Sequence, residues 1–156
     1  MRLCILAVGQ RLPSWVSDGW SGYARRFTRG FVLELREIAA IKRNRKIDPE
    51  SVRSAEGEAL LAAVPPSSCI VALDENGRQW STAELSRQMK AWMQDGRDIA
   101  FLIGGPDGLS AQCLERADHC WSLSRLTLPH ALVRVIVAEQ LYRAWSMTQN
   151  HPYHRA

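Results

Sequence analysis

The sequence predicts an α/β fold with a mainly parallel sheet flanked by helices. The apolar runs at 3–8, 69–73 and 99–103 have strand length and are continuous enough to be buried on both faces. Segments of helical periodicity stand between and after them, and that alternation marks parallel strands joined by crossover helices. With 46% hydrophobic and 23% charged residues, composition points to a globular chain rather than a disordered one. A length of 156 residues can bury a core without disulfide or metal support, so one domain over residues 1–156 is expected.

Met1-Arg2-Leu3-Cys4-Ile5-Leu6-Ala7-Val8 runs straight into Gly9-Gln10-Arg11 with no small-residue cleavage site. It reads as a first strand rather than a secretion signal, and a cytoplasmic location is expected. No apolar run is long enough to cross a bilayer, so no membrane partner is expected. Ser14 is the candidate cap of a helix whose apolar positions Val16, Trp20, Tyr23, Ala24 and Phe27 share one face. Gly19 and Gly22 weaken that helix by about 1 kcal/mol each relative to alanine. Residues 31–38 alternate apolar and polar side chains, the pattern of a half-exposed strand.

The basic run Lys42-Arg43-Asn44-Arg45-Lys46 reads as a loop. Asp48-Pro49-Glu50 then supplies a cap, a first-turn proline and an acidic residue at the positive helix end. That helix should reach about Val64, where Pro65-Pro66 stops it. Ser81-Thr82-Ala83-Glu84 is a capping box ahead of Leu85, Met89, Trp92 and Met93, and Asp95-Gly96 closes the helix. After the strand at 99–103, a short helix near 111–116, a short strand near 121–123 and a long helix over 130–147 complete the chain.

Four segments could carry chemistry. In Leu102-Ile103-Gly104-Gly105-Pro106-Asp107-Gly108 an apolar strand enters three glycines within five residues. Glycine allows a sharp turn and close approach of a ligand, and ligands of parallel sheets sit beyond the carboxyl ends of strands. The spacing matches neither a dinucleotide fingerprint nor a phosphate loop. By itself the motif is equally a tight turn with no ligand. In Trp121-Ser122-Leu123-Ser124-Arg125-Leu126-Thr127-Leu128-Pro129-His130, leucines alternate with hydroxyl residues. Such a segment can offer backbone groups to the edge of a base, or simply connect a strand to a helix.

The long helix carries apolar residues over an arc of roughly 200°, wider than one-sided burial needs. A second subunit is the economical cover. Arg134 falls inside that arc, either as half of an ion pair or as an arginine reaching a shared site. The tail His151-Pro152-Tyr153-His154-Arg155-Ala156 gathers groups that exchange protons, stack on bases and pair with phosphate. The net charge of +4, from 20 basic and 16 acidic residues, is a weak sign of a polyanionic partner. The four cysteines form no C-x-x-C pair and read as reduced, mostly buried thiols, and no metal site is expected.

Taken together, Ala7-Val8-Gly9, Leu73-Asp74, the 102–110 loop, Leu126-Thr127-Leu128-Pro129-His130, the 139–145 stretch and Asn150-His151-Pro152-Tyr153-His154 resemble the ribosomal large-subunit methyltransferase H family of the SPOUT (α/β-knot) methyltransferases. The resemblance spans essentially the whole chain. It implies a carboxyl-terminal deep trefoil knot, which periodicity cannot reveal. It also implies an obligate homodimer and transfer of a methyl group from S-adenosylmethionine to N3 of a pseudouridine in large-subunit (23S) rRNA of assembled ribosomes. Carried over by position, the cofactor would meet Leu73, Gly104, Gly105, Leu123, Ser124, Arg125, Leu126, Thr127 and Leu128. His154, Tyr153 and Arg155 are the candidate catalytic residues, completing the site of the other subunit. Lys42, Arg43, Arg45 and Lys46 are the candidate RNA contacts. The competing reading is a non-catalytic RNA- or ribosome-binding protein, which leaves the glycine loop without a role.

Overall fold

The computed structural model describes residues 1–28 and 30–155. Ala156, the end of the tail, lies outside the described residues. In chain order the elements are β1 (Arg2–Val8), α1 (Ser14–Ala24), β2 (Val32–Ile38), α2 (Pro49–Ala62), β3 (Cys69–Gln79), α3 (Thr82–Asp95), β4 (Ile99–Ile103), α4 (Ala111–Arg116), β5 (His119–Ser122) and α5 (His130–Thr148), followed by a 3₁₀ turn at Pro152–His154. The strands form one sheet of order β2-β1-β4-β3-β5, with all paired strands parallel.

The strand period divides the core into two layers. Leu3, Ile5, Ala7, Val71, Ile99, Phe101 and Ile103 face α3 and α5 together with Phe27. Cys4, Leu6, Val8, Ile70, Ala72, Ala100 and Leu102 face α2 and α4. Both faces of β1 and β4 are thus buried, which is why those runs are apolar without alternation. Each large side chain so buried contributes on the order of 2 kcal/mol.

Local signals place most boundaries. Asp48 accepts a hydrogen bond from the Glu50 backbone N–H at the start of α2. Ser81 and Glu84 make the capping box of α3, and Gly96 ends it in the left-handed conformation at φ 76°. Ser110 caps α4 by accepting from the Cys113 N–H.

Four boundaries differ from the sequence expectation. Ser14 does not cap α1: Pro13 stands at the cap position and Ser14 is the first helical residue. α2 stops at Ala62, short of Val64, because Ala63 already turns back onto the Ala59 and Leu60 carbonyls. β5 begins at His119, two residues before Trp121, and Leu123 lies beyond it. β3 runs on through Asp74-Glu75-Asn76-Gly77 to Gln79, a polar stretch with little strand propensity. Pairing with β5 carries it: a register shift lies between Leu73 and Arg78. Gly77 sits so close to β5 that a Cβ there would lie 2.7 Å from the Trp121 backbone nitrogen.

Along α5, Val137, Ala138, Leu141, Tyr142, Ala144 and Trp145 are buried. Ala131, Leu132, Val133, Val135 and Ile136, in its first half, remain half-exposed. Arg134 is 1% exposed. Its Nη1 donates to Glu37 at 2.9 Å, and its Nη2 donates to the Val8 and Gly9 carbonyls at 3.0 and 2.8 Å. Its ion-pair partner therefore lies within the same chain.

The cysteines are free thiols, with Cys4, Cys69 and Cys113 buried. Burial pushes the Cys69 thiol up to about 11 and raises the others as well, so they are poor nucleophiles. Among the described residues no group of three His, Cys, Asp or Glu could hold a metal ion. No helix among them is long and apolar enough to cross a membrane.

Candidate functional site

The carboxyl ends of β3, β4 and β5 open onto a cleft of about 150 Å³. It falls where parallel sheets bind ligands. Its floor and one wall come from the glycine segment. Gly105-Pro106-Asp107-Gly108 closes as a β-turn, with the Gly108 N–H donating to the Gly105 carbonyl at 2.9 Å. Proline at the second position and glycine at the fourth suit that turn, and Gly108 has φ 79°. The turn folds back so tightly that a Cβ on Gly104 would lie 2.5 Å from the Gly108 carbonyl carbon. Only hydrogen fits at Gly104.

The opposite wall is the irregular segment after β5. Ser122 Oγ donates to the Ser124 carbonyl at 3.1 Å, and Ser124 Oγ accepts from the Leu126 N–H at 2.9 Å. These short-range bonds hold the chain out of helix and strand, so its backbone groups can face a ligand. Leu73, Gly104, Gly105, Leu123, Ser124, Leu126, Thr127 and Leu128 all line the cleft. Arg125 does not: it is exposed and stands outside the wall that its neighbours form.

Sequence reasoning missed other wall residues. Asp74 and Glu75 enter from β3, and His130 and Val133 from the first turn of α5. Leu73-Asp74 and the Leu-Pro-His motif were visible as strings, but periodicity does not say which side chains turn toward one cavity. Trp121 also lines the cleft, is 2% exposed, and has an indole N–H without a hydrogen-bond partner.

The cations of the basic run have different surroundings. Arg43 Nε donates to Asp107 at 2.7 Å and its Nη2 pairs with the buried Glu56 at 3.0 Å. Two carboxylates hold it, and it ties the 42–46 loop to the glycine turn. Lys42, Arg45 and Lys46 are exposed.

The tail packs on its own chain, away from the cleft. The Tyr153 ring meets Tyr142 edge-on at 4.8 Å, and the Arg143 guanidinium lies over it at 4.9 Å. Its hydroxyl donates to Glu139 at 3.1 Å. Burial, with hydrogen bonds to Tyr23 and Glu139, pushes that phenol up to about 12, so at neutral pH it is a donor and not a base. His154 is half-buried with Nδ1 unpartnered, and Arg155 is exposed. None of residues 151–155 lines the cleft of the same chain.

A parallel sheet with a glycine turn and an irregular backbone wall at its carboxyl edge defines a small-molecule-binding α/β protein. Comparison with known proteins narrows the class. A family model described as "Predicted SPOUT methyltransferase" matches residues 1–154. The protein from Methylococcus capsulatus called ribosomal RNA large subunit methyltransferase H is 56% identical over 99% of this chain and all of its own. The protein of the same name from Nitrosococcus oceani is 53% identical over all of this chain and 99% of its own. A solved structure, a probable methylase family protein from Haemophilus influenzae, superposes with TM-score 0.54 at 15% identity, covering 99% of this chain and 70% of that one. That likeness concerns the fold. The chain belongs to the SPOUT methyltransferases and, within them, to the ribosomal RNA large subunit methyltransferase H family. It is an enzyme, and its methyl donor is S-adenosylmethionine. The all-parallel sheet with flanking helices is the expected fold class, and its course is consistent with the trefoil knot that the resemblance implies.

The cleft fits that donor. It lies at the carboxyl ends of the strands, and the glycine turn leaves the Gly104 backbone bare. Asp74 and Glu75 give the rim acidic character suited to a ligand with a cationic sulfur.

Proposed function

We propose that this enzyme methylates N3 of a pseudouridine in large-subunit rRNA, acting on assembled ribosomes in the cytoplasm as a homodimer. The whole chain, 1–156, would serve as one methyltransferase domain. The observation that carries the reading is the cleft: eight of the nine residues carried over for the cofactor meet on its walls. Both named relatives are called large-subunit rRNA methyltransferases.

When bound, S-adenosylmethionine supplies a methyl carbon made electrophilic by its sulfonium. The work of the protein is then alignment and proton removal. The backbone of residues 123–128 and the glycine turn hold the donor in one orientation, and orientation alone can supply several kcal/mol. The base must lose its N3 proton, and the tail offers His154 for that exchange, with Tyr153 and Arg155 positioning the base. Because the tail does not reach the cleft of its own chain, the tail of a second copy must complete the site. The half-exposed apolar first half of α5 supports such a contact, as does Leu126, 74% exposed at the cleft mouth.

The direct test incubates ribosomes lacking the modification with the protein and S-adenosylmethionine, then maps the mass of large-subunit rRNA fragments. One added methyl group on a pseudouridine is expected. Heat of cofactor binding without any change in rRNA mass would overturn the substrate assignment.

The walls of the site make Gly104 and the basic loop separately testable. Gly104→Ala should weaken cofactor binding by about tenfold to a hundredfold in calorimetry, since a backbone clash of this kind costs roughly 1–3 kcal/mol to relieve. Gly22→Ala is the control, since a Cβ there meets nothing within 4 Å. Neutralising Lys42, Arg45 and Lys46 together should flatten the salt dependence of ribosome binding by roughly two units, at about 0.7–0.9 for each phosphate no longer gripped. Neutralising Arg43 should instead lower stability. An unchanged slope in the triple variant would remove the loop from the RNA footprint.

A further inference from the structure

Donor alignment, proton removal and the acidic rim of Asp74 and Glu75 leave one titratable residue of the cleft without a role. His130 begins α5 and lines the cleft beside Val133 and Leu128. Its Nε2 lies against Gly9, where a Cβ would come within 3.7 Å of it and within 3.3 Å of Arg134 Nη2. Gly9, at φ 112°, therefore lets the strand end pack under both side chains. One turn along the same helix, the Arg134 guanidinium is fixed in place by the Val8 and Gly9 carbonyls and by Glu37. The imidazole is thus a wall group of the donor cleft held next to a buried, permanent cation.

We propose that His130 is a donor-site residue whose imidazole must stay uncharged for the cationic donor to bind, and that Arg134 is the positioning residue that keeps it so. This rests on the cleft being the S-adenosylmethionine site.

Each element around the ring bears on its charge. Arg134 acts from α5 itself, Arg43 from the 42–46 loop and Glu56 from α2. Asp74 and Glu75 share the cleft from β3, while Glu37 of β2 is engaged behind Arg134. Burial, then Arg134, then Arg43 hold the imidazolium below the ordinary histidine range, and Glu56 opposes them more weakly. The ring also sits at the positive end of a 19-residue helix, which disfavours a further positive charge. A neutral imidazole can still donate one hydrogen bond and accept another. A charged one would repel a sulfonium bound beside it.

The product, S-adenosylhomocysteine, has the same shape with an uncharged sulfur, so the pair of ligands isolates the effect. The experiment measures both affinities by calorimetry between about pH 8 and about pH 5. Wild type should favour the sulfonium progressively less, relative to the thioether, as pH falls below the ordinary histidine range. His130→Lys places a fixed cation in the wall and should lose roughly tenfold more affinity for the sulfonium than for the thioether at every pH. His130→Gln keeps a neutral polar group and should abolish the pH dependence of the ratio while binding both ligands. The His130 ring signals, followed by NMR, should titrate lower in wild type than in Arg134→Met. If both ligands bind wild type and their ratio changes neither with pH nor in His130→Lys, the proposal fails and the cleft assignment stands. If neither ligand binds wild type, the cleft assignment itself fails. If His130→Lys does not fold, the wild-type ratio and His130→Gln decide alone.

Discussion

Deleting residues 151–156 is expected to abolish methyl transfer to ribosomes while leaving affinity for S-adenosylmethionine within about twofold, the usual independence of separated sites. No described residue of the tail lines the cleft of its own chain. The cofactor walls therefore survive the deletion. What the deletion removes locally is the Tyr153 packing on Tyr142, its bond to Glu139, and the seat of the Arg143 and Arg26 guanidinium groups over its ring. An aromatic pair, one hydrogen bond and two cation–π contacts are together worth about 2–5 kcal/mol, at or below the stability of an ordinary domain. The shortened chain should fold, bind the donor and fail to transfer. Tyr153→Phe separates the two contributions of that residue, since it keeps the ring and removes only the hydroxyl. His154→Ala tests the proton exchange and should change the pH profile of transfer as well as its rate. Normal methylation by the deletion variant would show that the cleft needs nothing from a second copy, and the shared-site reading would fall.

Much of this architecture was legible because its signals are local. The capping box at Ser81, the Asp48-Pro49-Glu50 start and the buried run at 99–103 each declare themselves within a few residues, and the structure places α3, α2 and β4 there. What escaped depends on partners far along the chain. β3 continues through four polar or turn-forming residues because β5, much later in the sequence, pairs with it. Arg43 reads as one cation in a basic run, yet Glu56 and Asp107, 13 and 64 residues away, hold its guanidinium. Arg125 sits inside a segment whose neighbours line the cleft, and only the turn of the backbone decides that its side chain leaves. The cleft followed the same division. Its glycine turn could be read from spacing, whereas its donor specificity came from resemblance, and His130 required three-dimensional neighbours to acquire a reason.

Replacing Arg134 by methionine is expected to lower stability by about 3 kcal/mol, read as a shift of the urea midpoint at fixed protein concentration. The side chain is 1% exposed and makes three hydrogen bonds, two of them to strand-end carbonyls of Val8 and Gly9. Methionine fills the space, so a cavity contributes little. The cost lies in leaving those two oxygens short of a donor at a buried position, at about 1–3 kcal/mol each before relaxation. Glu37 adds less, because it is 37% exposed and water can take over its charge. Arg134→Lys keeps the cation but forgoes the planar fork that reaches a carboxylate and two carbonyls at once, so an intermediate loss is expected. Glu37→Gln still offers an oxygen to Nη1 and should cost least of the three. The order Arg134→Met, Arg134→Lys, Glu37→Gln, from most to least damaging, distinguishes carbonyl satisfaction from the ion pair as the dominant contribution. If Glu37→Gln proved as damaging as Arg134→Met, the ion pair would be what fixes α5 to the end of β1, and the carbonyl bonds would be secondary.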